Sequence, residues 1–482
     1  MLCYTANINL DKIVNIKRYI MLLQTKKIAA VILLSLLYWL YLSLTTRMDI
    51  VFDSISYESL GRMIYSQNWI AYFTTSPYHG TLPNREPLYP LLIAASMHIE
   101  HITGLAYVKI MAFFGIMILF LTQVLTYRIL RLLNIRNGIC VFVLSYLAFS
   151  PALNNAAFSL FSEIAALPII LGIILISAGA WEAILQNKRN EALIYGTLLG
   201  ILLTAATFIK AVFECISPVY LIVFFATVFL INKTKKISTL LLCLAAAVSF
   251  FYIPITGYKL LNKQYNGNFA VTNRGSWALY GNTDRRMEPL TIKRFAEALS
   301  YVPGEGVCNG LFGTKECSFW NSLNSDNLGF AKQKELSSQH LSDDKINAIL
   351  LKASAQKALS NPFQYIPLTF IEGLKMFFWE STKIGFVSYP SWLQKIYDIK
   401  ALGNGLRFVV SIMTIIAVFS LWAQALKAQA PPVVFLIGML VSLYILFFSF
   451  FFILTRYALP IAPLYLIAIG LWLNNLGSKK II

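Results

Sequence analysis

The sequence is poor in charge. Of its 482 residues 13% are Asp, Glu, Lys or Arg, 57% are hydrophobic, and the mean hydropathy is +0.65. A soluble domain carries about 25% charged residues, so composition excludes a soluble enzyme and indicates a chain that crosses a membrane several times. Acid is scarcer still, with 22 Asp and Glu against 40 Lys and Arg, a net charge of +18. The basic residues lie in short clusters between apolar runs, the pattern of positive-inside loops facing anionic lipid, and nucleic acid is not an expected partner. No Gly-rich phosphate loop and no exposed-nucleophile motif is present. Nor is there an internal repeat or a low-complexity tract. The six cysteines show no metal-ligand spacing. His79, His98 and His101 have no carboxylates at ligand spacing, so no metal is predicted, although a divalent cation is left open. The first apolar run has no A-x-A-like exit and is expected to stay as an anchor, with Met21 an alternative start.

What is abundant is apolar sequence in span-length runs. They lie at about 28–46, 105–127, 139–156, 161–185, 191–210, 213–231, 238–257, 404–425, 432–452 and 457–474. The expected fold is an all-α polytopic membrane protein of about ten transmembrane helices. Residues 1–27 form a cytoplasmic tail, polar and irregular before Met21, and 28–257 a transmembrane module with its first outer loop at 47–104. Residues 258–403 form a small, mainly helical extracytoplasmic domain with membrane-surface helices, and 404–482 the last spans and a short cytoplasmic tail. Within the polar part, TIKRFAEALSYV and DDKINAILLKASAQKAL have helical spacing, and Gly304, Gly306, Gly310 and Gly313 mark loop. The run 86–99 is too short to span and opens with Pro87 and Pro90, so it is read as an amphipathic helix on or re-entering the outer surface.

Orientation follows from the basic clusters. Lys17, Arg18, Lys26 and Lys27 precede the first span, and Arg128, Arg131, Arg136, Lys188, Arg189, Lys233, Lys235, Lys236, Lys427, Lys479 and Lys480 fall on the same face. Both termini are therefore expected in the cytoplasm, in a bacterial inner membrane. Cys308 and Cys317 lie close together in the outer polar stretch, where an oxidising compartment would let them pair; the alternative is two free thiols.

Ionisable residues gather at the outer ends of the spans. Asp53 and Tyr57, spaced i, i+4, share a helix face. Asp53 has two compatible roles, general base and helix N-cap, and Asp49 and Glu58 are competing bases. Arg85 and Glu86 precede an apolar helix at the headgroup boundary, where Arg can grip a phosphate with two N–H groups or form a plain surface pair. Glu163 and Lys210 sit at costly depth, which indicates function or pairing, Lys210 with Glu163 or with Glu214. Arg456 faces outward, against the positive-inside bias, as suits an anionic ligand. The clusters WIAYFTTSPYH and MFFWE suit sugar stacking or interfacial anchoring.

Four stretches in order, FDSISYESLGRMI with NREPLYPLLIA, FSLFSEIAALPIILGIIL, ALSNPFQYIPLTFIEGLKMFFW and TRYALPIAPLYLIAIG, resemble the GT-C superfamily of integral membrane glycosyltransferases. The likeness is to the branch holding protein O-mannosyltransferases and the lipid A aminoarabinose transferase. The resemblance implies an inverting transfer from a polyprenyl-phosphate sugar to a glycolipid, polysaccharide or protein acceptor at the outer face, with membrane lipids as surroundings and no obligatory cofactor. It implies Asp53 as catalytic base, Arg85, Lys210 and Arg456 as donor-phosphate ligands, and Tyr57, Glu86 and Glu163 as supporting residues. This sequence departs in having Asp53-Ser54 where two acidic residues are common, Glu86 rather than a base directly before Pro87, and Lys210 where Arg is common. A polymerase or ligase of lipid-linked polysaccharide would instead depend on Arg274, Arg285, Arg286 and His340, and a lipid-linked-sugar flippase on charges at mid-membrane.

Overall fold

The computed structural model describes residues 10–67, 85–231, 237–272, 274–382, 386–399, 405–427, 430–451 and 453–478. Helix α1 (Leu10–Thr45) is followed by β1 (Arg47–Met48), α2 (Asp53–Gln67) and α3 (Leu88–Thr103). The next helices are α4 (Tyr107–Leu132), α5 (Asn137–Phe149), α6 (Pro151–Ala157), α7 (Glu163–Leu185), α8 (Arg189–Ile209), α9 (Phe213–Ile231) and α10 (Ile237–Asn266). A polar series follows: α11 (Arg274–Arg286), α12 (Ile292–Tyr301), α13 (Glu305–Phe312), α14 (Thr314–Cys317), α15 (Ser322–Ser337) and α16 (Asp343–Ser360). The chain re-enters the bundle through α17 (Pro362–Leu374) and a 3-10 segment (Lys375–Ser381), then forms β2 (Val387–Ser388) and α18 (Ser391–Asp398). It ends in α19 (Leu406–Ala425), α20 (Pro432–Phe450), a 3-10 segment (Thr455–Ile461) and α21 (Ala462–Ser478).

Among the described residues nine helices are long and apolar enough to cross a membrane, and α5 with α6, bent by 50°, makes a tenth if the pair is one span. The protein is thus an all-α polytopic membrane protein. Its outward surface is that of a lipid-facing bundle, with Leu33, Leu34, Leu37, Leu40 and Leu44 of α1 all exposed. An inward polar group that finds partners is the buried Trp39 Nε1, which donates to Ala148 O and Asn154 Oδ1, each at 3.1 Å. Helices α8 and α10 pack closely because Gly196 and Gly200, one turn apart, leave space for the α10 backbone at Cys243 and Ala247.

Four expectations change. The stretch before Met21 is helical from Leu10, because no Gly or Pro interrupts Leu10–Thr45 and the helix of the span propagates backwards. Gly306 and Gly310 lie inside α13; the turns are made by Gly304 and Gly313, at φ 143° and 86°, conformations a side chain resists. MFFWE neither stacks on an open site nor anchors at an interface. Met376, Phe377, Phe378, Trp379 and Glu380 are buried in the core, and Trp379 Nε1 donates to Thr414 Oγ1 at 3.1 Å. Finally, β1 and β2 pair antiparallel, tying the end of the first span to the chain before α19.

The helix at 88–103 does not reach span length and packs against α2 and α4, as a surface or re-entrant helix would. The polar series α11–α16 has a small core of its own, Trp277, Leu336, Ile346 and Leu350. Cys308 and Cys317 are joined by a disulfide, their Cα atoms 5.9 Å apart. Two buried arginines fix this unit to the bundle. Arg285 donates to Trp320 O (3.0 Å) and Glu372 Oε1 (2.9 Å), and Arg286 to Thr369 Oγ1 (2.8 Å) and Ser449 O (2.6 Å).

Candidate functional site

Asp53 is the first residue of α2. Just before it Phe52 adopts a left-handed conformation, φ 52°, which turns the chain into the helix; a bulky residue there is strained, as is common beside functional groups. The helix start is closed locally by Ser54, whose Oγ lies 2.6 Å from Val51 N. The Asp53 carboxylate goes elsewhere: Oδ1 accepts from Arg85 Nη2 at 2.5 Å and Oδ2 from Arg456 Nη2. Residues 32 and 403 positions away in sequence thereby meet one carboxylate.

Each arginine is held from behind by an aromatic face. The Arg85 guanidinium lies 5.1 Å from the centre of the Tyr57 ring, and that of Arg456 lies 4.8 Å from Phe161 and 5.6 Å from Tyr457. Tyr57, one turn after Asp53, pairs its hydroxyl with Ser162 Oγ at 2.8 Å, and burial pushes its pKa up to about 12. Glu163 opens α7, and Lys210 ends α8 in an extended conformation, which brings Lys210 Nζ to 2.9 Å from Glu163 Oε1. Arg456 Nε stands 4.0 Å from the same oxygen, while Glu163 Oε2, buried, accepts no hydrogen bond. Glu86 accepts from the Ala211 N–H at 2.9 Å and so fixes the turn that presents Lys210.

These groups border one cavity of about 280 Å3. It is lined by Asp53, Tyr57, Arg85, Glu86, Glu163 and Lys210, by Glu214 and Asp326, and by an apolar wall including Val212, Val271, Phe448 and Phe451. Arg456 stands behind Asp53 rather than in the lining. Burial opposes ionisation of Asp53, but Arg456 and Arg85 outweigh it and hold this carboxyl below the ordinary carboxylate value. Burial likewise opposes the charge on Arg85, and Tyr57 and Asp53 outweigh it, so Arg85 stays charged.

Of the expected site residues, Asp53, Tyr57, Arg85, Glu86, Glu163, Lys210 and Arg456 are brought together, and both Arg85 and Glu86 line the cavity. The competing bases are drawn away. Asp49 accepts from Ser388 Oγ at 3.0 Å, and Glu58 is held by Arg62 and by the Tyr107 hydroxyl, each at 2.6 Å. Lys210 pairs with Glu163 and not with Glu214, which takes Lys259. Arg285 and Arg286 do not line the cavity, and His340 is exposed on the polar unit. Arg274 starts α11, and its side chain, like all of WIAYFTTSPYH with His79, lies outside the described residues. His98 stacks edge-on against Tyr65. Among the described residues no three His, Cys, Asp or Glu side chains converge as a metal site. Sequence reasoning missed Ser162, Tyr457 and Asp326. LNSDNLG around Asp326 has no patterning that could have marked it. Comparison with protein-family models and with curated proteins finds no match to this chain.

Proposed function

We propose that this protein is an inverting glycosyltransferase that moves a sugar from a polyprenyl-phosphate carrier to an acceptor at the outer face of a bacterial inner membrane. The observation that carries this is the cavity itself: two cations, Arg85 and Lys210, in its lining, a third, Arg456, behind Asp53, and an apolar wall leading back to the lipid-facing bundle. An amphiphile with a phosphate head and a long apolar tail fits that combination. The phosphate takes the guanidiniums in bidentate fashion, and the tail leaves between helices. The ordered motifs shared with the GT-C superfamily support the same reading.

In this mechanism the acceptor attacks the anomeric carbon on the face opposite the phosphate, and a single displacement inverts that centre. The cations stabilise the charge that grows on the leaving phosphate, which is where fixed electrostatics contribute most to rate. Glu163 holds Lys210 in place, and its unsatisfied oxygen is free to accept a sugar hydroxyl. Asp53 orders the arginines. The resemblance implies Asp53 as the base, but both of its carboxylate oxygens already accept from arginines.

The test is transfer of radiolabelled sugar in membranes supplied with a panel of undecaprenyl-phosphate pentoses and hexoses, alongside binding of undecaprenyl phosphate to the purified protein. Arg85→Gln and Lys210→Gln should each weaken binding at least tenfold. A wild-type protein that neither binds the lipid phosphate nor transfers from any donor in the panel would defeat the proposal.

A further inference from the structure

Five carboxylates line the cavity, and four are occupied. Asp53 is held by Arg85 and Arg456, Glu163 by Lys210, Glu214 by Lys259, and Glu86 by the Ala211 N–H. Asp326 is the exception. It reaches the cavity from α15 in the polar unit, beside Gly275 and Ala278 of α11, and has no hydrogen bond or salt bridge to any residue whose side chain is described.

A general base needs a free lone pair and a pKa near working pH. In Asp53 each oxygen is already engaged by an arginine, and the pKa is held below the ordinary carboxylate value. We propose, on the reading given above, that Asp326 is the catalytic base which takes the acceptor's proton, and that Asp53 is a positioning residue which orders the two arginines for the donor phosphate. The roof of the cavity thus supplies the base, and its floor supplies the cations.

The environment agrees with that division. Burial pushes the Asp326 carboxyl up to about 6, and the negative charge of Asp53 adds to the effect against the opposing pull of Arg285, Arg85 and Arg456. Those four and Tyr457 act on it most directly, and Glu86, Glu163, Lys210 and Glu214 line the same cavity. On α16, packed against α15, Lys357 is engaged by Asp284. Two carboxyls in one site, one held below and one raised above the ordinary value, is the arrangement in which acid–base roles separate. An arriving donor phosphate adds negative charge and strengthens Asp326 further as a base. In the step itself the acceptor oxygen bonds to the anomeric carbon, and the carbon–oxygen bond to phosphate breaks. Its electron pair leaves on the phosphate, and the acceptor's proton passes to Asp326 and from there to water.

The experiment compares wild type, Asp326→Asn and Asp326→Glu for transfer from undecaprenyl-phosphate sugars between pH 5 and 8, with undecaprenyl phosphate binding measured on the same preparations. Asp326→Asn should lose about 10²- to 10⁴-fold in transfer. Its affinity for undecaprenyl phosphate should stay within twofold, and the acidic limb near pH 6 should vanish. Asp326→Glu should recover part of the rate and retain a limb. Asp326→Asn transferring within tenfold of wild type, or losing lipid-phosphate affinity in step with rate, overturns the assignment and leaves the glycosyltransferase reading standing. If wild type neither binds the lipid phosphate nor transfers, that reading falls and the role of Asp326 falls with it.

Discussion

Replacing Asp53 by Ala removes the carboxylate that two buried guanidiniums share. Arg85 is 5% exposed, and the Arg456 side chain 13%. Removing one partner of a buried ion pair costs about 3–5 kcal/mol, because the remaining charge has lost both water and counter-ion. Asp53 itself is 23% exposed, and solvent screening reduces the cost to about 2–4 kcal/mol. With an unfolding entropy of about 2.1 cal/mol/K per residue, a chain of this length loses about 1 °C of Tm per kcal/mol, so the expected fall is about 2–4 °C. The informative part is the rescue. A lipid phosphate at 100 times its Kd adds about 2.7 kcal/mol. In the variant it meets arginines that no longer share a carboxylate, whereas in the wild type it competes with Asp53. Undecaprenyl phosphate should therefore raise the Tm of Asp53→Ala by more than it raises that of wild type, and unphosphorylated undecaprenol should do neither. Thermal unfolding in detergent reads this directly. Equal shifts in the two proteins, or no loss of Tm in the variant alone, would refute the view that Asp53 holds the place of a phosphate.

Other expectations follow from the same contacts. Asp326 has a folded-state pKa raised above its unfolded value, so its ionisation opposes folding. The penalty is absent below about pH 4, grows through pH 6 and is constant above. Asp326→Asn should then stabilise the protein by about 1–2 kcal/mol at pH 7.5, after discounting for partial exposure, and by nothing at pH 4; melting at the two pH values checks it. Asp53, with its pKa lowered, stabilises above its unfolded value near 3.9 and loses that contribution as pH falls further, so Asp53→Asn should flatten the acid limb of the stability curve. The Cys308–Cys317 bridge closes a loop of sequence separation 9, and Cys308→Ser with Cys317→Ser should cost about 2–3 kcal/mol, visible as loss of thermal protection of the polar unit. Gly200→Leu, which sets a side chain against the α10 backbone, should sharply reduce the yield of folded protein, while Gly257→Leu, at an open position, should not.

Much of the architecture was legible in the chain because a membrane imposes a length and a composition on whatever crosses it. Runs such as 163–185 and 213–231 are apolar on every face and span-long, a pattern hard to mistake for anything else. The i, i+4 spacing of Asp53 and Tyr57 and the depth of Glu163 and Lys210 marked them out locally, and the cost of charge near lipid is a sufficient reason to single them out. The glycines of α13 misled, because a Gly is equally at home inside a short helix and in the turns at its ends. MFFWE misled because aromatic residues look the same in sequence whether they face a sugar, an interface or a core.

By itself, then, the sequence determined which segments are long and apolar enough to cross a membrane, that the ionisable residues sit at the ends of those runs, and which side chains were candidates for chemistry. These depend on local composition and helical period alone. Only the tertiary structure decided the partners: that Arg456 meets Asp53 across 403 positions, that Glu163 takes Lys210 while Glu214 takes Lys259, and that Asp326 enters the same cavity without a partner among the described residues. Pairing between distant charges is set by how the helices pack, and packing follows from shape complementarity along whole faces, which no short stretch of sequence encodes.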